Sequence, residues 1–283
     1  MADLKFVQEL LTTSKGTEGS LLIPRKISDA LFEEVDKFLI PRSEAAIYIG
    51  PNEVPGSSYD LNLVTADTQD VRVIAEGAEV PMDQNEYTAT NVRPLKYGVA
   101  VRITRELLED AKWNLLEHNI KTAGKRVAEN ENSLVVTALD SAANTITGGA
   151  AITIPNITRA MQYLEDSDFR PTTFFVGMEV LNDLRNIDTF VDADKLGSTE
   201  MLSNGFVGRL FGMNVVRVST NAGMTTTSSY ITDRDNAYII VEKRSVTVEN
   251  FELVSHDMSG AVITQRIAAT AIRTSAIAKV TTT

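Results

Sequence analysis

Residues 51–94 constrain the fold of this chain most, because they alternate like paired strands yet supply few large apolar side chains. Tyr59, Leu61 and Leu63 alternate with polar residues, and Val71 and Val73 alternate again after a break. This spacing predicts a long two-stranded excursion. Two strands without a broad hydrophobic face are barely stable alone in water. Such a ribbon must pack either on the rest of its own chain or on a neighbour, and we expect residues 51–94 to make mostly intersubunit contacts.

The same excursion is strongly acidic. Residues 51–94 carry eight acids and two bases, a formal charge of −6, whereas residues 237–283 carry five bases and four acids, a charge of +1. Complementary charges of this kind favour contacts between copies of one chain. Any of the arginines could instead pair within its own subunit. The candidate intersubunit residues are Asp60, Asp67, Asp70, Arg72, Glu76, Glu79, Arg244, Arg266 and Arg273.

Composition excludes several kinds of site. The chain has a net charge of −11, no cysteine, and two histidines, His118 and His256, far apart in sequence. The negative charge disfavours sequence-specific DNA binding but permits enclosure of DNA, and disulfides and thiolate metal sites are excluded. No run of about 18 apolar residues is present, and the first residues lack the apolar core of a signal peptide. We predict no membrane contact and no catalytic, cofactor or metal site.

Three segments invite a chemical interpretation that their details oppose. The glycine-rich segment 205–212 lacks the Lys-Ser/Thr pair of a phosphate-binding loop. It also precedes a strand, whereas a phosphate-binding loop precedes a helix, so we interpret it as a turn into strand 213–218. Asp233-Arg234-Asp235 could bind a divalent cation, but such sequences usually form turns. His256 could respond to pH at an interface or simply lie on the surface.

The remaining segments predict an ordered series of elements. Residues 1–26 indicate an extended arm, with a frayed terminus as the alternative. The longest helix is predicted at Thr104–Leu139, roughly 50 Å if unbroken, with acids in its first turns and a possible bend at Gly124. Residues 140–236 alternate strand and helix, which indicates a separate α/β lobe. The other predicted helices are Ser28–Leu39, Asn156 or Thr158 to Leu164, and Met178–Ile187; the other strands are 44–50, Val92–Ile103, Thr172–Val176, Ala237–Glu242, Ser245–Phe251 and Val262–Val280, with a turn near Lys243-Arg244.

Three motifs, in this order, resemble the HK-97-like major capsid proteins of tailed phages. They are Glu76 to Pro81, Leu95 to Asp110, and Gly208 to Val216. The resemblance covers roughly residues 20–283 and implies an α+β fold. The implied parts are an N-terminal arm and short helix at 1–43, peripheral-domain strands at 44–103 with an extended β-loop at 51–94, a spine helix at 104–139, an axial domain at 140–236, and peripheral-domain strands at 237–283.

The resemblance implies a major capsid protein that assembles as hexamers and pentamers into an icosahedral shell around double-stranded DNA. It further implies a separate scaffolding protein, a portal and a possible cement protein, non-specific contact with the packaged DNA, and a virion assembled in the host cytoplasm. Some family members cross-link subunits through a lysine in the extended loop, which residues 51–94 lack. An encapsulin-like cellular compartment is the alternative on the same fold. An enzyme or carbohydrate-binding β protein is a third interpretation.

Overall fold

The computed structural model describes residues 40, 42–66, 71–74, 76–77, 79, 82, 85–104, 106, 115–187 and 208–282. The predicted arm and the predicted helix Ser28–Leu39 lie outside these residues. The strands are β1 (Ile47–Ile49), β2 (Tyr59–Ala66), β3 (Glu86–Val92), β4 (Leu95–Thr104), β5 (Asn144–Thr147), β6 (Thr173–Val176), β7 (Arg209–Leu210), β8 (Met213–Arg217), β9 (Ser228–Thr232), β10 (Tyr238–Leu253), β11 (Met258–Ala271) and β12 (Ile277–Thr281). The helices are α1 (Leu115–Leu139), α2 (Ile154–Glu165) and α3 (Met178–Arg185).

The strands form two sheets and a separate ribbon. One sheet has the order β1-β10-β11-β4, and the other has the order β5-β12-β9-β6-β8-β7. Strands β2 and β3 pair only with each other, antiparallel. The sequence assigned residues 237–283 to one unit, but β12 lies between β5 and β9 in the six-stranded sheet.

The end of α1 lies in the main core, where both sheets meet. Val135, Val136 and Leu139 are buried there because their helical spacing puts them on one face. This cluster also contains Phe175 and Tyr230 from the six-stranded sheet, and Ile240 and Ile267 from the four-stranded sheet. The predicted start of the helix at Thr104 was wrong, because Thr104 still pairs with Met258 as part of β4.

The predicted turn near Lys243-Arg244 was wrong. Strand β10 runs unbroken through this region and pairs with β11 along its length, with register shifts on either side of Arg244. The polar pair Lys243-Arg244 suggested a turn, but these residues remain in the strand, where the extra residues form β-bulges.

The strand boundaries of the excursion also differ from the prediction. Val71 and Val73 are not in a strand, and β2 pairs instead with β3, which begins at Glu86. The predicted strand Val92–Ile103 is divided by Arg93-Pro94 into β3 and β4, because proline cannot donate a ladder hydrogen bond.

The glycine-rich segment before β8 forms a hairpin, as the turn interpretation predicted. Phe211 and Gly212 are the two residues between β7 and β8, and both have positive φ, 50° and 84°. Two successive residues of positive φ are typical of the tight type I′ hairpin turn. The segment therefore supplies backbone geometry for a turn.

The N-terminus of α3 is capped by the backbone of a neighbouring loop. Thr226 accepts a hydrogen bond from the N–H of Glu179 at 3.1 Å, and Ser228 accepts one from Gly177 at 3.1 Å. These carbonyls satisfy N–H groups that have no partner inside the helix. A Cβ on Gly177 would lie 2.5 Å from the carbonyl oxygen of Thr226 and 2.8 Å from that of Thr225.

We predict that Gly177→Ala lowers the free energy of unfolding by about 1–3 kcal/mol, because the added methyl group overpacks this junction. The measurement is urea unfolding of the free subunit, followed by circular dichroism. Gly149→Ala is the matched control, because a Cβ there meets nothing within 4 Å. Equal stability of the two variants would contradict the close approach.

Candidate assembly surfaces

The ribbon formed by β2 and β3 is anchored to its own subunit at the base. The apolar residues of the base are Val54, Tyr59, Leu61 and Val92, and they pack with Ile49, Ile239, Val241 and Ala268. Val54 and Val92 are buried. The expectation that residues 51–94 make mostly intersubunit contacts therefore needs correction for this base, whose apolar side chains complete the core of their own chain.

Beyond the base, the excursion displays apolar side chains to solvent. Val71 and Val73 are fully exposed, Met82 is 97% exposed and Tyr87 is 67% exposed. Isolated exposed apolar residues are ordinary, but several in one segment are typical of an interaction site. Burial of a valine or methionine side chain contributes about 1.5–3 kcal/mol. The distal excursion therefore has surface that a second molecule could bury.

Three of the five candidate acids of the excursion are exposed to solvent. Asp60, Glu76 and Glu79 are exposed, as is Arg72, and Asn91 donates a hydrogen bond to Asp60 across the ribbon. The other two candidates, Asp67 and Asp70, lie outside the described residues. Contact of these residues with another subunit stays a prediction.

Two of the three predicted basic residues lie together, and the third lies elsewhere. Arg244 and Arg266 stand directly opposite each other on β10 and β11. Arg273 instead places its guanidinium 6.0 Å from the ring centroid of Phe169, within its own subunit. The structure therefore groups Arg244 with Arg266 and separates Arg273 from them.

A buried ionic network joins the segment before β1 to α1 and β10. Arg42 donates to Glu131 through Nε at 2.8 Å and through Nη2 at 2.9 Å, and to Glu242 through Nη1 at 3.2 Å. Both carboxylate side chains are nearly inaccessible, at 4% and 1% exposure. Gln265 of β11 also donates to Glu131 at 3.0 Å. One arginine therefore pairs with two buried carboxylates. The network as a whole joins four parts of the chain: the segment before β1, α1, β10 and β11.

Tyr48 completes this network. Its hydroxyl donates to Glu242, and the Arg42 guanidinium lies 5.1 Å from its ring centroid. Burial, together with the hydrogen bond to Glu242, raises the pKa of Tyr48 to about 12. Burial alone would lower the pKa of Arg42, but its contacts with Glu131 and Glu242 outweigh that effect and raise it. Sequence reasoning missed the network, because its members are up to 200 residues apart.

A second polar cluster lies at the end of α1. Asp140 accepts hydrogen bonds from Lys279 at 2.7 Å and from the Tyr230 hydroxyl at 2.5 Å. Burial alone would raise the pKa of Asp140, but these two hydrogen bonds outweigh it and lower the pKa. The cluster ties the end of α1 to β9 and β12.

The segments that invited a chemical interpretation can be compared with the described residues. No group of three or more histidine, aspartate and glutamate side chains in this part of the chain is placed to hold a metal. Asp233 accepts hydrogen bonds from the Asp235 N–H at 3.1 Å and the Asn236 side chain at 2.8 Å, which confirms the turn interpretation of this segment. His256 is exposed and contacts Ser255. None of the helices that the structure describes combines the length and apolar character needed to cross a bilayer.

We predict that Arg42→Met destabilises the free subunit by about 3 kcal/mol, because Glu131 and Glu242 would remain buried without their cation. Adding Glu131→Gln should recover part of the loss by removing one uncompensated charge. Chemical denaturation of all variants measures this, with Arg217→Met on the exposed surface of β8 as control. A loss no larger than that of the control would contradict the network.

Several solved structures share this fold. A chain from Microbacterium phage Oxtober96 matches with a TM-score of 0.64 and 17% identity, covering 86% of this chain and 91% of that one. The capsid of a native GTA particle matches with a TM-score of 0.64 and 13% identity, covering 86% and 91%. A virus-like particle from Pyrococcus furiosus matches with a TM-score of 0.60 and 13% identity, covering 90% and 98%. These likenesses confirm the HK-97-like α+β fold.

The sequence itself was also compared with known proteins. No curated protein matches the chain. A family model described as phage capsid protein matches residues 86–280. The match begins with β3 and extends into β12, so it includes the strands of the six-stranded sheet, three of the four strands of the other sheet, and helices α1, α2 and α3. This chain belongs to the phage capsid protein family.

Proposed function

We propose that this chain is the major capsid protein of a tailed virus and that it assembles as hexamers and pentamers into an icosahedral shell enclosing double-stranded DNA. The observation that carries the proposal is the excursion at residues 51–94, whose ribbon is anchored by an apolar base and whose other residues include exposed acids and exposed apolar side chains. In an isolated subunit these exposed apolar side chains contribute no hydrophobic stabilisation. A neighbouring subunit that covers them gains apolar burial.

A closed shell requires that one patch of each subunit meets a different patch of the next. The ribbon and the four-stranded sheet are two such surfaces in one chain. Residues 51–94 have a formal charge of −6 and residues 237–283 a charge of +1. Exposed ion pairs contribute only about 0–1 kcal/mol each, so the charges act mainly by selecting partner and register.

The proposal extends to location and partners. Separate scaffolding, portal and possibly cement proteins assist assembly in the host cytoplasm, and the product is a virion capsid. The net charge of −11 suits non-specific enclosure of DNA more than tight binding. The role is structural, without catalysis. We keep the domain division derived from the sequence, except that β12 is assigned to the axial domain because it pairs with β5 and β9.

An encapsulin-like compartment is the second candidate. Similarity to the virus-like particle from Pyrococcus furiosus, which spans 98% of that chain, supports it. Both candidates form shells, so the contents separate them. Ultraviolet absorbance of purified native particles at 260 and 280 nm distinguishes a nucleic-acid cargo, expected for the capsid, from a protein cargo, expected for the compartment.

We predict that removing residues 67–85 abolishes shell formation and leaves the subunit folded. Joining Ala66 to Glu86 through an Asn-Gly turn keeps a pair that the ribbon already forms, and it retains the apolar base. Shells are counted by electron microscopy, and subunit folding is followed by a thermal melt. Normal shells from this variant would contradict the role of the distal excursion.

A milder variant distinguishes the loss of exposed apolar side chains from the shortening of the chain. Val71→Ser combined with Val73→Ser keeps every residue of the excursion but removes two fully exposed apolar side chains. We expect a reduced shell yield with an unchanged melt. Met178→Ser, which alters a 42% exposed apolar residue on α3, is the matched control.

A further inference from the structure

Three basic side chains lie in one row across the four-stranded sheet. Arg266 on β11 stands opposite Arg244 on β10 and, on its other side, opposite Lys96 on β4. Directly opposite residues of antiparallel strands project from the same face with Cβ atoms about 4.5–5.5 Å apart, where like charges repel. The row Lys96–Arg266–Arg244 is therefore unfavourable for an isolated subunit.

Two irregularities in β10 create this row. The register with β11 shifts by one residue between Glu242 and Arg244, and again between Arg244 and Thr247. Regular pairing continued from Glu242 would place Arg244 opposite Gln265, whose buried side chain points toward α1 and contacts Glu131. The first bulge instead brings Arg244 to the face of Arg266. Bulges commonly re-aim side chains in this way.

No acid of the described residues lies within ion-pair distance of Lys96, Arg244 or Arg266. Arg244 donates to the Thr264 hydroxyl at 2.8 Å, and Arg266 donates to the carbonyl of Pro94 at 3.4 Å. The nearby Glu242 binds Arg42 and Tyr48 on the α1 side of the sheet. The positive charge of the row is thus not neutralised by any acid in the described part of its own subunit.

We propose that this row receives carboxylates from residues 51–94 of a second copy of the chain, the excursion that includes the ribbon. The inference rests on the proposed function and names the surface that the ribbon meets. Charge complementarity selects the occupant, since residues 51–94 carry −6. Glu76 and Glu79 are exposed and make no hydrogen bond or ion pair among the described residues. Arginine side chains favour carboxylates as partners because they offer several N–H donors.

A nucleic-acid phosphate backbone is the other polyanion that such a row could bind. The net charge of −11 repels phosphate over the whole molecule. The ribbon, by contrast, is present once for every row in a shell, so the two surfaces match in number. The ribbon is therefore the occupant we test, with DNA binding as a competing outcome.

The test compares Arg266→Glu, the pair Glu76→Lys with Glu79→Lys, and the combination of all three. We expect Arg266→Glu to raise the critical concentration for shell assembly at least about tenfold, equivalent to about 1.4 kcal/mol per subunit. The same change should leave the melting temperature of the free subunit unchanged or higher, because it removes the repulsion along the row. Weaker assembly without a lower melting temperature of the free subunit would distinguish the loss of an interface contact from a folding defect.

The combined variant should recover assembly, since both sides of the contact are reversed. Arg217→Glu, on the exposed surface of β8, is the control for a charge change away from the row. Light scattering measures assembly at low and high salt, and the difference between wild type and Arg266→Glu should shrink as salt rises.

Two outcomes would overturn the inference while the proposed function stands. They are unchanged assembly of Arg266→Glu, and loss of assembly that the combined variant does not recover. Unchanged assembly together with weaker binding of a labelled DNA duplex would assign the row to nucleic acid. Failure of the wild-type chain to form any shell would overturn the proposed function and this inference with it.

Discussion

The rest of the fold depends on burial of the end of α1 between the two sheets. Val135, Val136 and Leu139 fill one core with residues from both sheets, so neither sheet can shift without opening a cavity there. Cavities in such cores are expensive, about 2–5 kcal/mol for loss of one large side chain. Ile240 and Ile267 belong to this core, and the neighbouring Ile239 and Ala268 pack against the base of the ribbon, so the position of α1 also affects where the ribbon is anchored.

Polar contacts add specificity to this apolar junction. Buried ion pairs contribute little net stability relative to well-packed apolar residues, but breaking one is costly. Any other register of the segment at Arg42 against α1 would leave Glu131 and Glu242 buried without a cation. The network thus penalises alternative packings of residues 42–49. Thr173 reinforces the same segment by donating a hydrogen bond to the buried Glu44.

Local patterns in the sequence predicted the elements whose periodicity is regular, including α1, α3, β6 and the β7–β8 turn. They failed where pairing over long distances decides the outcome. Residues Lys243-Arg244 resemble a turn locally, yet β11 holds them in a strand with two bulges. Arg244 and Arg266 were identified as candidates by charge alone, whereas Lys96 joined them only through strand register. Arg42 offered no signal in sequence, because its partners lie in α1 and β10.

The position of β12 has a consequence for synthesis on the ribosome. Its neighbours β5 and β9 come earlier in the chain, and β5 precedes it by more than a hundred residues. Until residue 281 has emerged, the inner edges of both strands lack a partner and the six-stranded sheet is divided. Sheets closed by such distant pairings form slowly, and open edges attract other chains. A nascent subunit therefore exposes two unpaired strand edges until its last strand has been made.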